Sequence, residues 1–375
     1  MTVGIISMQR VCNKGSFLQA YGLKKILESL GHDVVFIDYQ VRRPILRHRS
    51  EIITYYLLKT RNAIINVFLH CKPLRILLPK EFKEIVIERA DFKKFIAKYL
   101  GVTNKKSYRS IVDDLIIGSD EVFNCTQINP EVGFSPELFG ANNNAKKILS
   151  YAASFGNTTY QKLLDFGKEE ELKKYFSVFN SISVRDNNSC DIVEKLTGKK
   201  PEINLDPVLI YDFMSSIPDT QIRKDYIIVY AYRSRITKKE VEAIKAFAKR
   251  TGKKLISISG HMDFCDEHLI LNPFEALNLY RHADYVITDT FHGTIFSIIN
   301  RKKFVTLIRL SEGNSYGNHE KLQDLLNRLG LQGRKFSIGK NDLFNQMSAE
   351  IDYDSVFNII NTERIHTMEY LSNNL

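Results

Sequence analysis

A carboxylate and an imidazole lie close together in the run Thr288-Asp289-Thr290-Phe291-His292-Gly293. An apolar segment precedes the run and a helical pattern follows it, so we expect both side chains just after a β-strand. The pattern puts His292 in the first turn of a helix that opens at Gly293, where backbone N–H groups and the helix dipole favour a bound anion by about 0.3–1 kcal/mol. A histidine beside a carboxylate is suited to proton transfer. We therefore predict that Asp289 and His292 are catalytic and that Gly293 contacts an anion.

A simpler interpretation of the same run is structural. Asp289 or Thr290 has the side-chain type of a helix N-cap, and His292 is then a surface or packing residue. The local pattern fits both interpretations, and both stay open at this point.

Arginines follow two other predicted strands. Arg185 comes after the apolar segment 182–184, and Arg233 and Arg235 come after the segment 226–231. In a parallel sheet, ligands bind beyond the carboxyl ends of the strands. Charged hydrogen bonds from arginine to a carboxylate or phosphate are worth about 1.5–3 kcal/mol. We predict anion-binding roles for Arg185 and Arg233; the alternative for either residue is a surface ion pair.

Small and polar residues lie at three strand ends in the first half of the chain. They form the turns Asn13-Lys14-Gly15-Ser16, Gly118-Ser119-Asp120 and 150–156. Gly15 lacks a Cβ, which allows a ligand to approach the backbone closely. The first turn matches neither GxGxxG nor GxxxxGK followed by Ser or Thr, so it predicts no nucleotide site. Taken alone, each turn is typical of an ordinary loop.

The elements that must position these residues follow from hydrophobic patterning. Short apolar runs alternate with helical patterns, which is typical of βαβ units and mostly parallel sheets. The alternation begins again at Asp225, so we expect an α/β fold with two Rossmann-like domains. Predicted strands are 3–7, 34–39, 114–117, 147–151, 181–184, 203–205, 226–231, 254–259, 285–288 and 304–308. Predicted helices are 17–30, 238–249, 274–282, 293–300 and 321–329.

The domain boundaries are predicted from the same pattern. Residues 1–215 form the N-terminal domain, 216–340 form the C-terminal domain, and 341–375 are C-terminal helices that pack back toward the first. The first boundary lies near 211–224, where Ser215, Ser216 and Pro218 interrupt the regular elements.

Basic residues are concentrated in one part of the first domain. Residues 41–110 hold 17 Lys and Arg against 5 Asp and Glu, a balance of +12, whereas the whole chain carries +10. We predict an insertion of two or three basic amphipathic helices here. Such an insertion contacts an anionic membrane, where each basic residue is worth roughly 1 kcal/mol. The alternative is a solvated helical face, and we expect no nucleic-acid partner.

The remaining composition favours a cytoplasmic protein, peripheral at the inner membrane face. The longest apolar stretches fall short of the ~18–20 residues that a membrane-spanning helix needs, and the N-terminus lacks the pattern of a secretory signal. The five cysteines are far apart, as in a reduced compartment. His261 and His268 match no standard zinc spacing. We therefore expect no metal and no bound cofactor.

Six motifs occur in a fixed order along the chain. They are Asn13-x-Gly15-x-x-Leu18-Gln19-Ala20-Tyr21, Gly118-Ser119-Asp120-x-Val122, 150–156, Ser183-Val184-Arg185-Asp186, Leu205-Asp206-Pro207-Val208 and Thr288-Asp289-x-Phe291-His292-Gly293-Thr294. In number and order they resemble the motifs of the polysaccharide pyruvyl transferase family. The resemblance spans residues 4 to about 335, most of the chain.

The resemblance implies a GT-B-like arrangement and a reaction that uses phosphoenolpyruvate as donor substrate. Pyruvate is transferred to two hydroxyls of a sugar as a cyclic ketal, during surface or exopolysaccharide biosynthesis. The acceptor is then an oligosaccharide or a lipid-linked glycan. By resemblance, His292 is the acid or base, Asp289 orients it or assists the hydroxyl, and Arg185 is a donor-binding cation.

The resemblance also implies residues that bind the acceptor or line the cleft. These are Asn13, Gly15, Gln19, Asp120, Glu121 and Ser154. Some family members carry arginine at the position of Thr290, so another cation must contact the donor here; Arg233, Arg301 and Lys321 are the candidates. Glu121 and Phe123 also depart from the family, where glutamine and tryptophan are common at these positions.

Two other functions remain open at the level of sequence. One is a nucleotide-sugar glycosyltransferase with the same GT-B-like architecture. The other is a non-catalytic protein that binds a surface through its basic residues.

Overall fold

The chain divides into two units, each built around its own β-sheet. The computed structural model describes residues 1–375 except 47, 72, 74, 75, 77, 109, 110, 219–222, 259, 310–317, 340 and 341. Unit 1 comprises 1–211 and 363–375, and unit 2 comprises 212–362.

Unit 1 is an α/β unit with six parallel strands. The strands are β1 (Thr2–Ile6), β2 (Asp33–Phe36), β3 (Asp114–Asp120), β4 (Lys147–Ala153), β5 (Ser183–Val184) and β6 (Glu202–Ile203). The helices are α1 (Lys14–Ser29), α2 (Arg49–His70), α3 (Lys80–Leu100), α4 (Tyr160–Asp165), α5 (Glu169–Phe176), α6 (Asn187–Thr197) and α7 (Pro207–Ile210). The sheet order is β2-β1-β3-β4-β5-β6, and every neighbouring pair is parallel.

The central strands of unit 1 are buried along their whole length. All of β3 is inaccessible to solvent, and so is β4 after its first residue. This burial agrees with their continuous apolar sequence, since a parallel sheet is covered on both faces. The apolar runs therefore identified these strands correctly.

The basic segment of unit 1 folds as the two long helices α2 and α3. The second is anchored to α1 by aromatic packing: the ring centroids of Phe17 and Phe95 lie 4.8 Å apart, and those of Phe17 and Phe92 lie 6.2 Å apart. Phe92 and Ile96, spaced one turn apart, are both buried. The apolar stripe of α3 is thus core packing.

Unit 2 repeats the α/β pattern with six more parallel strands. The strands are β7 (Tyr226–Tyr230), β8 (Lys254–Ser257), β9 (Glu267–His268), β10 (Tyr285–Thr288), β11 (Lys303–Leu307) and β12 (Lys335–Phe336). The helices are α8 (Lys238–Thr251), α9 (Pro273–His282), α10 (Phe291–Ile299), α11 (His319–Arg328), α12 (Leu343–Ser348) and α13 (Tyr353–Asn374), the last of which runs into unit 1. The sheet order is β12-β11-β10-β7-β8-β9, again with parallel pairs throughout.

Each sheet has a point at which the strand order reverses. In unit 2 this switch point lies between β7 and β10, and in unit 1 it lies between β1 and β3. In open parallel sheets, ligands bind beyond the carboxyl ends of the strands at such a point. The loops after β7, β10, β1 and β3 are therefore where functional side chains are expected.

The predicted α/β class with mostly parallel sheets is confirmed, whereas some boundaries differ from the sequence prediction. The chain passes to unit 2 after Tyr211 and returns to unit 1 only at Glu363. Helix α12 belongs to unit 2, because Leu343 and Met347 are buried in the apolar core of that unit. The last residue of the predicted strand 254–259 lies outside the described residues.

Candidate active site

The carboxylate of Asp289 lies at the switch point of unit 2. Asp289 directly follows β10, and its Oδ1 accepts a hydrogen bond of 3.1 Å from the backbone N–H of Tyr232, which follows β7. The bond therefore joins the carboxyl ends of the two strands between which the order reverses. The sequence placed Asp289 at a strand end; the structure places it where the fold class binds its ligands.

Burial controls the chemistry of Asp289. The side chain is inaccessible to solvent, and its Oδ2 has no hydrogen-bond partner among the described residues. Burial raises the pKa of Asp289 to about 6, although Arg235 and the Tyr232 N–H both act to lower it. The carboxyl group therefore changes its charge close to neutral pH.

Two arginines act electrostatically on this carboxylate. The Arg235 Nη1 is 4.0 Å from Asp289 Oδ2, and the Arg235 guanidinium lies over the ring of Tyr232 at 4.3 Å from the centroid. Arg309 follows β11 and makes a bidentate ion pair with Glu240, with distances of 2.6 and 3.0 Å. Arg309 is neutralised by this pair, so Arg235 is the better candidate for contact with an anion.

Thr290 and Gly293 build the start of α10. Thr290 is the N-cap, and its hydroxyl accepts a hydrogen bond of 2.9 Å from the backbone N–H of Gly293. A Cβ on Gly293 would lie 2.2 Å from the hydroxyl of Thr288 and 2.6 Å from that of Thr290. Gly293 thus allows close packing, and its N–H is used by the cap rather than offered to an anion as predicted.

His292 is the second residue of α10, which begins at Phe291, two residues before the predicted start at Gly293. Its side chain is 9% exposed, and its ring lies 5.5 Å from the ring of Phe291 and 6.2 Å from that of Phe296. An imidazole held between aromatic rings at the carboxyl end of β10 has a fixed direction and a small contact with solvent. Thr290 is the helix cap, as the structural interpretation allowed, whereas Asp289 is not a cap.

The other predicted cations are placed differently. Lys321 lies in the first turn of α11, whose N-cap residue Asn318 donates from its side chain to the backbone carbonyl of Asp289. Arg233 is exposed and paired with Asp263. Arg301 follows the far end of α10 and pairs with Asp354. Lys321 therefore lies in the helix whose cap contacts the Asp289 loop, whereas Arg233 and Arg301 have surface partners.

At the switch point of unit 1, Asp120 is the centre of a buried network. Its Oδ2 accepts a hydrogen bond of 2.7 Å from the hydroxyl of Ser16, and Arg185 Nη1 lies 3.7 Å from its Oδ1. The same Arg185 nitrogen donates to Asp206 Oδ2 over 2.7 Å. Arg185 is 3% exposed and lies between two buried carboxylates. Its neighbours fit a residue that positions Asp120 better than the predicted donor-binding cation.

The other predicted residues of unit 1 also support the loops. Asn13 is the N-cap of α1, and its Oδ1 accepts from the N–H groups of Gly15 and Ser16. Gln19 is buried and donates to the hydroxyl of Ser7 over 2.9 Å. Ser154 donates to Asp186 over 2.6 Å. These contacts hold the loops after β1, β3 and β4 in place.

Unit 1 also contains a cavity of about 560 Å³. It opens beside the loops after β1 and β2, and helices α2 and α3 supply its other walls. The polar lining includes Arg10 paired with Asp38 and Arg89 paired with Glu131, together with Asn66, Asn104, Lys93 and Lys106. The volume of the cavity is in the range of small-molecule sites, which is roughly 300–1,000 Å³.

Glu121, the remaining predicted residue, accepts a hydrogen bond from Asn124 over 2.8 Å.

The comparison with protein families decides the assignment. The model of the polysaccharide pyruvyl transferase family matches residues 13–311, which includes the loops after β3, β7 and β10. The chain belongs to the polysaccharide pyruvyl transferase family. As a member of this family it is a transferase.

Solved structures resemble this pyruvyl transferase family member at low sequence identity. S. aureus MnaA, solved with UDP, has a TM-score of 0.48 and 12% identity, with 100% of this chain and 97% of that chain covered. Neisseria meningitidis UDP-GlcNAc 2-epimerase has a TM-score of 0.45 and 11% identity, with 99% of each chain covered. The spinosyn rhamnosyltransferase SpnG has a TM-score of 0.42 and 10% identity, covering 100% and 95%. A comparison with curated proteins finds no match.

Two cations near Asp289 were not among the predicted anion-binding residues. Arg235 was recognised only as a strand-end residue, and Arg309 was not singled out at all. The signal for Arg235 was its position after β7, the same signal that favoured Arg233; only the structure shows which of the two turns toward Asp289. Arg309 lies directly after β11, and its link to Glu240 spans 69 residues.

Proposed function

We propose that this pyruvyl transferase family member transfers pyruvate from phosphoenolpyruvate to a pair of sugar hydroxyls as a cyclic ketal, in the synthesis of a surface polysaccharide or exopolysaccharide. One observation carries the proposal in this family context. The buried carboxyl group of Asp289 lies 4.0 Å from Arg235 at the switch point of unit 2, next to the helix turn that holds His292. A titrating acid, an imidazole and a cation are the groups that the reaction requires.

The reaction needs balanced proton transfers. The methylene carbon of phosphoenolpyruvate takes up one proton and becomes a methyl group, and two sugar oxygens form bonds to the central carbon. The phosphate leaves as the bond to that carbon breaks. Of the two hydroxyl protons released, one balances the methyl group and the other leaves with inorganic phosphate. General acid–base catalysis at both steps contributes about 10²–10⁴-fold each in comparable enzymes.

In this proposal His292 is the acid–base residue. His292 is 9% exposed, whereas Asp289 is fully buried, so we assign the contact with the substrate to the imidazole. Asp289 is a positioning residue. Its carboxylate accepts a hydrogen bond from the loop after β7 and lies close to the guanidinium of Arg235.

Arg235 is the proposed contact for the donor's phosphate or carboxylate. It is the cation nearest to Asp289 and is 22% exposed, so its guanidinium can reach a ligand. It takes the part of the arginine that some family members carry at the position of Thr290. Lys321, in the first turn of α11, is the second cation proposed for the donor.

For the acceptor we propose the cavity beside β1 and β2. A lining of amide groups and paired charges suits the hydroxyl groups of a sugar, which need many donors and acceptors. An oligosaccharide or a lipid-linked glycan is the expected acceptor class.

A product assay tests the proposed reaction. The purified protein is incubated with phosphoenolpyruvate and candidate oligosaccharides, and inorganic phosphate and product mass are followed together. We expect phosphate release that depends on the acceptor, with a mass gain of one pyruvate less one water. Thermal stabilisation by UDP but not by phosphoenolpyruvate, with no phosphate release, would contradict the proposal in favour of a nucleotide-sugar enzyme.

A further inference from the structure

Helix α2 carries a row of large apolar side chains that point to solvent. Ile53, Tyr56, Leu57, Ile64 and Val67 are between 44% and 67% exposed. At about 100° per residue, these five positions fall within an arc of roughly 100° on one side of the helix. We call this row the α2 apolar stripe. Isolated exposed apolar residues are ordinary, but five on one side of one helix indicate an interaction surface.

The opposite side of α2 holds the helix on unit 1. Tyr55 and Ile65 are 5% and 1% exposed and lie on that side. Helix α2 is therefore apolar on two sides, of which the protein covers one. No helix among the described residues is long and apolar enough to cross a membrane, so this helix does not span a bilayer.

Basic residues border the α2 apolar stripe. Lys59 and Arg61 are exposed on its two flanks, and the Arg43 guanidinium lies over the ring of Tyr56 at 5.9 Å from the centroid. The single acidic residue between 49 and 70 is Glu51, which accepts a hydrogen bond from the backbone of His48 at the start of the helix. The exposed side of α2 thus combines apolar groups with positive charge, and Glu51 in the first turn is the one acidic residue of the helix sequence.

We propose that the α2 apolar stripe docks on the surface of an anionic lipid membrane, with the helix lying in the plane of the interface. Apolar side chains enter the boundary between headgroups and acyl chains, while lysine and arginine keep their charges at the anionic headgroups. The proposal rests on α2 and its flanking charges and is independent of the reaction proposed above.

Charge distinguishes an anionic membrane from the alternative binding partners of the α2 apolar stripe. In a symmetric dimer the same patch of each copy would meet, so the exposed Lys59 and Arg61 of one copy would face those of the other. Nucleic acid would pair with the basic residues, but its phosphates offer nothing to Ile53, Leu57 and Ile64. An anionic membrane matches both the apolar side chains and the charge.

Vesicle co-sedimentation tests this inference on the full chain. We expect binding to vesicles of phosphatidylcholine mixed with phosphatidylglycerol. Binding to vesicles of phosphatidylcholine alone should be weaker by at least about tenfold. The variant Leu57→Asp/Ile64→Asp should lose binding about tenfold or more. The matched control Ile365→Asp changes an exposed apolar residue of α13 and should bind as the unchanged protein does.

A second pair of variants tests the charges. Lys59→Gln/Arg61→Gln should weaken binding and reduce its salt dependence, whereas Lys239→Gln/Lys245→Gln on α8 should not. Circular dichroism confirms that each variant is folded. Equal binding by Leu57→Asp/Ile64→Asp and the unchanged protein would overturn the proposal. So would a dimer that the same variant converts to a monomer, with no vesicle binding by either protein, because the stripe would then join two copies.

Discussion

The guanidinium of Arg235 lies 4.0 Å from the buried carboxyl group of Asp289, at the place where the strand order of unit 2 reverses. Burial and Arg235 have opposite effects on the pKa of Asp289. Burial raises the pKa of Asp289 to about 6, and Arg235 limits that rise. A site with this pair can hold an anion at Arg235, and the carboxyl group of Asp289 changes its charge near neutral pH.

Replacing Asp289 should increase stability at neutral pH. The folded pKa of about 6 lies above the usual aspartate value of 3.8, so the folded protein binds this proton more tightly than the unfolded chain. Stability is therefore lost as pH rises from about 4 to about 6, by up to about 3 kcal/mol. Asp289→Asn does not ionise, and its free energy of unfolding relative to the unchanged protein should rise over that interval. Urea unfolding at several pH values measures this, and a difference that stays constant with pH would contradict it.

Arg235→Gln should weaken donor binding. Loss of one charged hydrogen bond of about 1.5–3 kcal/mol corresponds to a rise in KM for phosphoenolpyruvate of roughly 10- to 150-fold. The matched control is Arg233→Gln, because Arg233 lies in the same loop but pairs with Asp263 at the surface. Steady-state kinetics at varied donor concentration distinguish the two. A larger effect for Arg233→Gln would show that the other arginine of the loop contacts the donor.

Arg185→Met should destabilise unit 1. The change leaves Asp120 and Asp206 buried without their shared cation, and loss of one partner of a buried ion pair costs about 3–5 kcal/mol. Chemical denaturation measures the loss, and donor KM should stay unchanged in the folded protein. A variant of normal stability whose donor KM rises would instead support the donor-binding role that the sequence predicted.

Asn66→Trp should obstruct the acceptor cavity. Asn66 lines the cavity from the exposed helix α2, so an indole at this position takes up its volume with little effect on the core. We expect KM for the sugar acceptor to rise about tenfold or more while KM for phosphoenolpyruvate stays the same. If both constants are unaltered, the acceptor binds elsewhere.

The fold was predictable from sequence where strands are long and apolar. β3, β4, β7 and β10 follow from their continuous apolar runs. By contrast, β9 contains only Glu267 and His268, so there was no apolar run to recognise. Short elements of this kind are fixed by pairing with a neighbouring strand rather than by their own pattern.

The site was predictable only as far as strand ends could be located. Asp289 and His292 were placed correctly beyond β10, because the strand and the helix that flank them have clear patterns. The partners of Arg185 were not predictable, since Asp206 lies 21 residues away and the contact depends on how β5 and α7 pack. Side-chain direction within a loop, which separates Arg235 from Arg233, is likewise set by tertiary contacts.

Turnover by His292→Ala tests the central claim most directly. General acid–base catalysis contributes about 10²–10⁴-fold, so kcat should fall by at least about 100-fold while the thermal unfolding transition is retained. The control His261→Ala removes an exposed histidine of the same unit and should leave kcat unchanged. A folded His292→Ala protein that releases phosphate from phosphoenolpyruvate at the rate of the unchanged protein would contradict the account.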